Sequence, residues 1–261
     1  MYDLSQISID YEYIGGGSEQ TLDKHRQTDR LLCFCVAISV LEGKYFIKIQ
    51  DEVIAVTPGK TIVIPEEIRH DIWVEEKCVI SYAHFSCRIM LQDILKFAQG
   101  SYIMLLGDEA LFYIDRMNRR SGEAEIIDKL YRDGAIADLV LFILRASKIK
   151  QSVIVEEKWL FDVNAYIKNN MDKAISVQEL VSISGYSKTV FYERFASVMK
   201  TTPNAYIILT KMQFACRLLL QGKKVKEVSE KVGFFDEMYF CKLFKKHIGV
   251  VPSAYKKTVA Q

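Results

Sequence analysis

Over its first 85 or so positions the chain alternates short apolar runs with turn-forming residues. Residues 31–41, 45–49, 53–56, 61–64, 68–74 and 79–85 are rich in β-branched and aromatic side chains, and signals such as Glu42-Gly43 and Pro58-Gly59 separate them. That spacing predicts many short strands, the mark of a sandwich or barrel. After Phe85 the apolar positions recur every three or four residues, predicting helices over 89–97, 110–118, 124–131 and 136–149. From Val163 to Tyr255 the pattern is helical throughout, broken only at turns. The polar stretch between Lys148 and Glu157 is the expected boundary, which makes the fold class α+β in two domains, 1–150 and 158–261.

The helical part contains an internal repeat. Leu180, Gly185 and Tyr186 recur 48 positions later as Val228, Gly233 and Phe234, whereas Phe191, Phe195, Pro203 and Tyr206 recur 49 later as Phe240, Phe244, Pro252 and Tyr255. One residue has therefore been added in the turn of the second copy. In the first copy Ser176 and Glu179 have capping-box spacing, Gly185 suits the left-handed residue that closes a helix, and Ser187 can cap a second helix over 187–199. In the second, Gly233 stops one helix and Asp236 caps the next. A short helix, a glycine turn and a second helix is the helix-turn-helix plan, expected at about 176–199 and 225–247. The same pattern also fits a plain αα-hairpin repeat in a bundle.

Charge bears on that choice. The net charge is +2, but residues 172–261 carry fifteen Lys/Arg against seven Asp/Glu, or +8, and the rest twenty against twenty-six, or −6. A basic unit joined to an acidic one points to a polyanion, double-stranded DNA, as its partner. If Phe191 and Phe195 face inward, Lys188, Thr189, Tyr192 and Glu193 occupy the open face of the first recognition helix; with Phe240 and Phe244 inward, Glu237, Met238, Cys241, Lys242 and Lys245 do so on the second. Lysines there can reach guanine edges, and Thr, Met and aromatic side chains can touch thymine methyls. Lys245, Lys246, Lys256 and Lys257 have the character of phosphate neutralisers, setting affinity and salt dependence. The apolar stretch 204–221 between the copies reads as a helix that fixes their separation, so that the two readers would enter successive major grooves about 34 Å apart.

The six cysteines form no CxxC pair, and Met1-Tyr2-Asp3-Leu4 has no basic segment leading into an apolar one. With no apolar run of membrane-spanning length, the expectation is a cytoplasmic chain with reduced thiols and no membrane partner.

Over 161–257 the sequence resembles the AraC/XylS family of bacterial transcription regulators. The stretch Val232-Gly-Phe-Phe-Asp-Glu-Met-Tyr-Phe-Cys-Lys-Leu-Phe-Lys-Lys-His-Ile-Gly-Val-Val-Pro-Ser-Ala-Tyr255 is similar to the family signature, and Gly185-Tyr186-Ser187 with Phe191, Phe195, Pro203 and Tyr206 matches its first unit. This chain departs by carrying Val181 and Ser229 where a small residue is usual, Lys200 for a glycine, and Glu193 and Lys242 where arginines often stand. Less closely, 41–43, 57–59, 63–70 and 82–85 follow the order of the cupin-like sensor domain of such regulators. The resemblance implies a β-barrel or jelly roll that holds a small effector, often a sugar, helices over 108–149 that make a homodimer, and an activator for which RNA polymerase is a further partner.

Cupins can also be metalloenzymes, and a cupin-type enzyme or binding protein with a helical assembly tail is the alternative. A metal cupin needs an HxH pair, a Glu and a later His, whereas the only histidines are His25, His70, His84 and His247, none paired. No metal, cofactor or catalytic constellation is therefore expected, and Glu42, His70, Trp73 and Tyr82 are the candidate effector contacts.

Overall fold

A computed structural model describes residues 9–89, 92–97, 101–119, 124–146, 158–199 and 201–255. The chain divides into two compact units, one within Leu4–Ile154 and the other within Val155–Gln261.

The first unit is two antiparallel sheets with a helical layer. One sheet has the order β1-β8-β3-β6-β10 (Ile9–Leu22, Cys78–Ile89, Cys35–Glu42, Lys60–Ile64 and Ile103–Leu106), with β9 (Gln92–Asp93) on β8. The other has the order β2-β7-β4-β5 (Arg26–Arg30, His70–Trp73, Tyr45–Ile49 and Glu52–Val56). Side chains alternate across a strand, so each face of the larger sheet has its own set of residues. Cys35, Ala37, Val63, Ala83, Phe85 and Cys87 pack with Ala110, Ile114 and Met117 of α1 (Glu109–Asn118) and with Ile136, Leu139 and Ile143 of α2 (Glu125–Ala146). The intervening even-numbered residues, among them Val36, Ile38, Ile62, Ile64 and Ile80, are also buried and belong to the opposite face, which supplies the second core.

Three expectations are corrected. The helix over 89–97 is the end of β8, then β9 and a 3₁₀ turn over Ile94–Phe97, because Asp93 turns its carboxylate inward to accept the backbone N–H of Leu95 at 2.9 Å and of Glu66 at 3.0 Å. The helices over 124–131 and 136–149 are one continuous α2: a Cβ at Gly134 would meet only Arg116, at 3.8 Å, so that glycine interrupts nothing. The strand expected over 31–41 begins at Cys35. Four strands, β1, β2, β9 and β10, lie outside the predicted set. The first is interrupted by Gly15-Gly16-Gly17, and β2 is the polar run Arg-Gln-Thr-Asp-Arg. Glycine is required at Gly16, where a Cβ would lie 2.5 Å from the Tyr82 carbonyl oxygen.

The second unit is helical: α3 (Lys158–Asn169), α4 (Val177–Ser184), α5 (Lys188–Met199), α6 (Pro203–Leu220), α7 (Val225–Lys231) and α8 (Glu237–Ile248). Among the described residues, no helix is long and apolar enough to cross a membrane.

Candidate nucleic-acid interface

Each helix pair of the second unit is built by local signals in its own sequence. At α4 the capping box forms in both directions: the Ser176 N–H donates to the Glu179 carboxylate at 2.7 Å, and the Glu179 N–H donates to Ser176 Oγ at 3.3 Å. Gly185 ends the helix at φ +71°. At α8 Asp236 accepts from the N–H groups of Met238 and Tyr239 at 2.8 and 3.1 Å.

The repeat is also a repeat of packing. Phe191 and Phe195 lie 5.5 Å apart with Phe195 edge-on to Tyr206 at 5.5 Å, and Phe240 and Phe244 lie 5.7 Å apart with Phe244 edge-on to Tyr255 at 5.6 Å. All four phenylalanines are fully buried. Trp159 from α3 completes the first cluster, 5.6 Å from Phe191.

Burial of those rings fixes which faces of α5 and α8 remain open. Lys188, Thr189 and Glu193 are exposed and Tyr192 is half-buried; Glu237, Met238, Lys242, Lys245 and Lys246 are exposed and Cys241 is half-buried. The thiol of Cys241 is pushed up by burial and by Glu237. Lys200, Lys256 and Lys257 lie outside the described residues.

What holds the two helix pairs together was not visible in the pattern. Lys211, on α6, is buried and donates to three backbone carbonyls: Met171 at 2.8 Å, Lys173 at 2.6 Å and Val232 at 2.7 Å. The first two belong to the segment leading into α4, and the third ends α7. Three ammonium protons meet three acceptors. Burial lowers the Lys211 pKa to about 8, with Asp172 pulling the other way. The two turn glycines differ accordingly. A Cβ at Gly185 would meet nothing within 4 Å, whereas one at Gly233 would lie 2.6 Å from the Lys173 carbonyl oxygen. The second turn is therefore pressed against the segment leading into α4, and only glycine fits.

The candidate effector contacts divide. His70 is buried, and two strands meet there: Arg30 of β2 and Ile49 of β4 both pair with it. His84 of β8 is buried beside Phe34 and Tyr82, with ring centroids at 4.9 and 5.1 Å. The remaining two do not join this group. Trp73 is three residues from His70 on the same strand and so faces the other way, stacked on Phe46 at 5.3 Å with Arg26 over its ring. Glu42 stands on the surface, with the Lys77 ammonium 4.0 Å away. Arg30 and His84 stand beside His70 and Tyr82 without having been among the sequence candidates, although the two-residue spacing of Tyr82 and His84 places both on one face of β8.

Burial, and then the charge of Arg30, depress the pKa of His70 to about 4 and of His84 to about 3. Both lie below the ordinary value of 6.5, so on acidification protons bind preferentially to the unfolded chain. Stability is complete above neutrality and is lost as the pH falls from about 6.5 towards 4, by on the order of 2 kcal/mol per histidine at pH 5. Chemical denaturation of the wild type and of His84→Phe across this range checks it. The variant should lose stability less steeply, and coincident profiles would remove His84 from the account.

Among the described residues no group of three His, Cys, Asp or Glu comes together as a metal site.

A sequence profile described as a helix-turn-helix domain matches residues 180–258. The probable transcriptional regulator LumQ of Photobacterium leiognathi is 24% identical over 217 residues, which are 83% of this chain and 86% of LumQ. The MmsAB operon regulatory protein of Pseudomonas aeruginosa is 31% identical over 100 residues, 38% of this chain and 33% of that protein, so the match spans a third of the relative's length. Among solved structures, ToxT of Vibrio cholerae with bound unsaturated fatty acid is similar in fold, with a TM-score of 0.58 at 10% identity over 97% of this chain and 95% of ToxT. With its paired helix-turn-helix units and its double-sheet domain, the chain carries an AraC-type DNA-binding domain over 180–258 and is similar to transcription regulators of the AraC/XylS family.

Proposed function

We propose that the chain is an effector-responsive activator of transcription that binds double-stranded DNA as a homodimer, with α5 and α8 in successive major grooves. The observation that carries this reading is the Lys211 clamp. Two helix-turn-helix units tied by one buried ammonium behave as a single bipartite reader, and the exposed Lys242, Lys245 and Lys246 give the second helix a basic face.

Dimerisation is supported by the outer face of α1 and α2. Phe112, Ile126, Ile127, Leu130, Tyr131 and Leu141 are large apolar side chains exposed there, while the opposite face of the pair is packed on the sheet. For the effector, the buried Arg30, His70 and His84 with the half-buried Tyr82 support a small polar molecule, and the Arg30 charge favours one with an anionic group over a neutral sugar. ToxT, which takes a fatty acid, is a precedent of the same fold.

Footprinting of the full chain on the DNA upstream of its own gene tests the proposal. A protected region with two boxes about one helical turn apart for each protomer is expected, with affinity falling steeply as salt rises. Absence of any sequence-selective protection, with sugars or organic acids present or not, would overturn it. Within this reading Lys242 is a base reader. Lys242→Ala should cost about 1–3 kcal/mol on the selected site and relax discrimination at one position. An equal loss on random DNA would make Lys242 a phosphate contact instead.

A further inference from the structure

The residue added in the second turn can be identified. Tyr186 corresponds to Phe234 at an offset of 48, and the capping residues Ser187 and Asp236 correspond at 49. Phe235 lies between them and has no counterpart in the first unit. It is 97% exposed, the most exposed of the large hydrophobic side chains in the described residues. Its neighbours on the first turn of α8 are also open, Met238 at 72% and Tyr239 at 52%. The adjacent Phe234, by contrast, is half-buried, 5.8 Å from the Phe240 ring and with the Lys211 ammonium over its own ring.

An inserted residue in a tight turn next to a helix cap would ordinarily be small or polar. A phenylalanine there leaves its ring in water, as does Met238 one turn on. The leading end of α8 is thus apolar, and its exposed face becomes basic further along, at Lys242 and Lys245. On a helix entering the major groove by its N-terminal end, that order sets an apolar tip against base edges and ammonium groups against the backbone. The one apolar group that base pairs display in the major groove is the 5-methyl of thymine.

We propose that Phe235, together with Met238, is a specificity-determining contact of the second unit that packs on thymine methyl groups. This rests on the DNA-binding reading above and adds a residue outside the matched repeat. It also makes the two units unequal readers: the first presents Ser187, Lys188 and Thr189 at the corresponding place, with no projecting ring.

The test uses the full chain and duplexes selected by it from a random library. In the best-bound duplex, thymines are replaced one at a time by deoxyuridine, which removes only the methyl group. Wild type should lose about three- to tenfold in affinity at one or two positions of a single box. Phe235→Ser should lose a similar factor on the thymine duplex and no longer distinguish thymine from uracil at those positions. Because Phe235 packs on little, the variant should keep the wild-type unfolding midpoint. Equal thymine preference in wild type and Phe235→Ser overturns the inference, as does a uniform loss on all sequences. Unchanged DNA binding with lost activation of a promoter carrying the site also overturns it, and makes the tip a protein contact. If the wild type selects no duplex at all, the DNA-binding reading fails as well, whereas a failure confined to the Phe235→Ser comparison leaves that reading intact.

Discussion

Lys211→Met is expected to destabilise the helical unit by about 3–5 kcal/mol, since a hydrogen bond to a charged group contributes about 1.5–3 kcal/mol and each buried carbonyl left without a partner costs about 1–3 kcal/mol. Methionine matches the lysine stem in length and fills its apolar path, so lost packing contributes little. What disappears is the one ammonium that joins three acceptors lying 40, 38 and 21 residues away in sequence. The effect on DNA binding should exceed the effect on folding. Where the unit remains folded at low temperature, the α4–α5 pair is no longer tied to the end of α7, and a bipartite reader becomes two tethered weak ones. Denaturant unfolding gives the first quantity, and binding to a one-box and a two-box duplex gives the second. Lys211→Met should bring the two-box affinity down towards the one-box value. If the variant unfolds within about 1 kcal/mol of wild type, or keeps the full two-box advantage, the clamp is not what joins the units.

The fate of Lys211 shows which features the sequence displayed and which it did not. The aromatic pairs, the turn glycines and the caps were legible because each is local: Gly185 needs only its own positive φ, and Phe191 and Phe195 need only a helical period. A lysine amid apolar residues of a helix reads as a solvated interruption, and its acceptors are backbone atoms, which carry no residue signature. Gly233 is a mixed case. Its position at a helix end was readable, but its close approach to Lys173 depends on the packing of α6 and α7 against the first pair. In the sheets, β3 to β8 announced themselves through apolar runs. The polar β2 did not, because it joins the sheet by backbone pairing with β7. The effector candidates are dispersed for a simpler reason. Glu42, His70, Trp73 and Tyr82 share a chemical type, but the two-residue period of a strand separates Trp73 from His70. Applied to β8, the same period brings His84 to the side of Tyr82.

Arg88→Met should destabilise the double-sheet unit by about 3–5 kcal/mol, the usual cost of removing one partner of a buried pair and stranding the other. Arg88 and Glu66 are both almost wholly buried. The guanidinium donates to the two carboxylate oxygens through Nη2 at 2.8 Å and Nε at 3.2 Å, and Nη2 also reaches the Cys33 carbonyl at 3.1 Å. Ser86 adds a third donor to Glu66 at 3.0 Å. Burial alone would lower the pKa of Arg88, but the Glu66 charge and its hydrogen bond outweigh that and raise it. The same corner contains the Asp93 carboxylate, which takes the Cys35 thiol at 3.3 Å; burial first, and then Asp93 and Glu66, hold that thiol well above its ordinary pKa. Arg88 is four residues from His84 on β8, on the face that carries Tyr82, so the pair anchors the strand that presents the effector candidates. The companion variant separates charge from shape. Arg88→Met with Glu66→Leu removes both charges, and replacing a whole buried pair by apolar residues is often neutral or stabilising. The double variant should therefore recover most of what the single one loses in denaturant unfolding. If it is no more stable than Arg88→Met, the cost lies in lost packing and in the Cys33 carbonyl, and the stranded carboxylate is not its source.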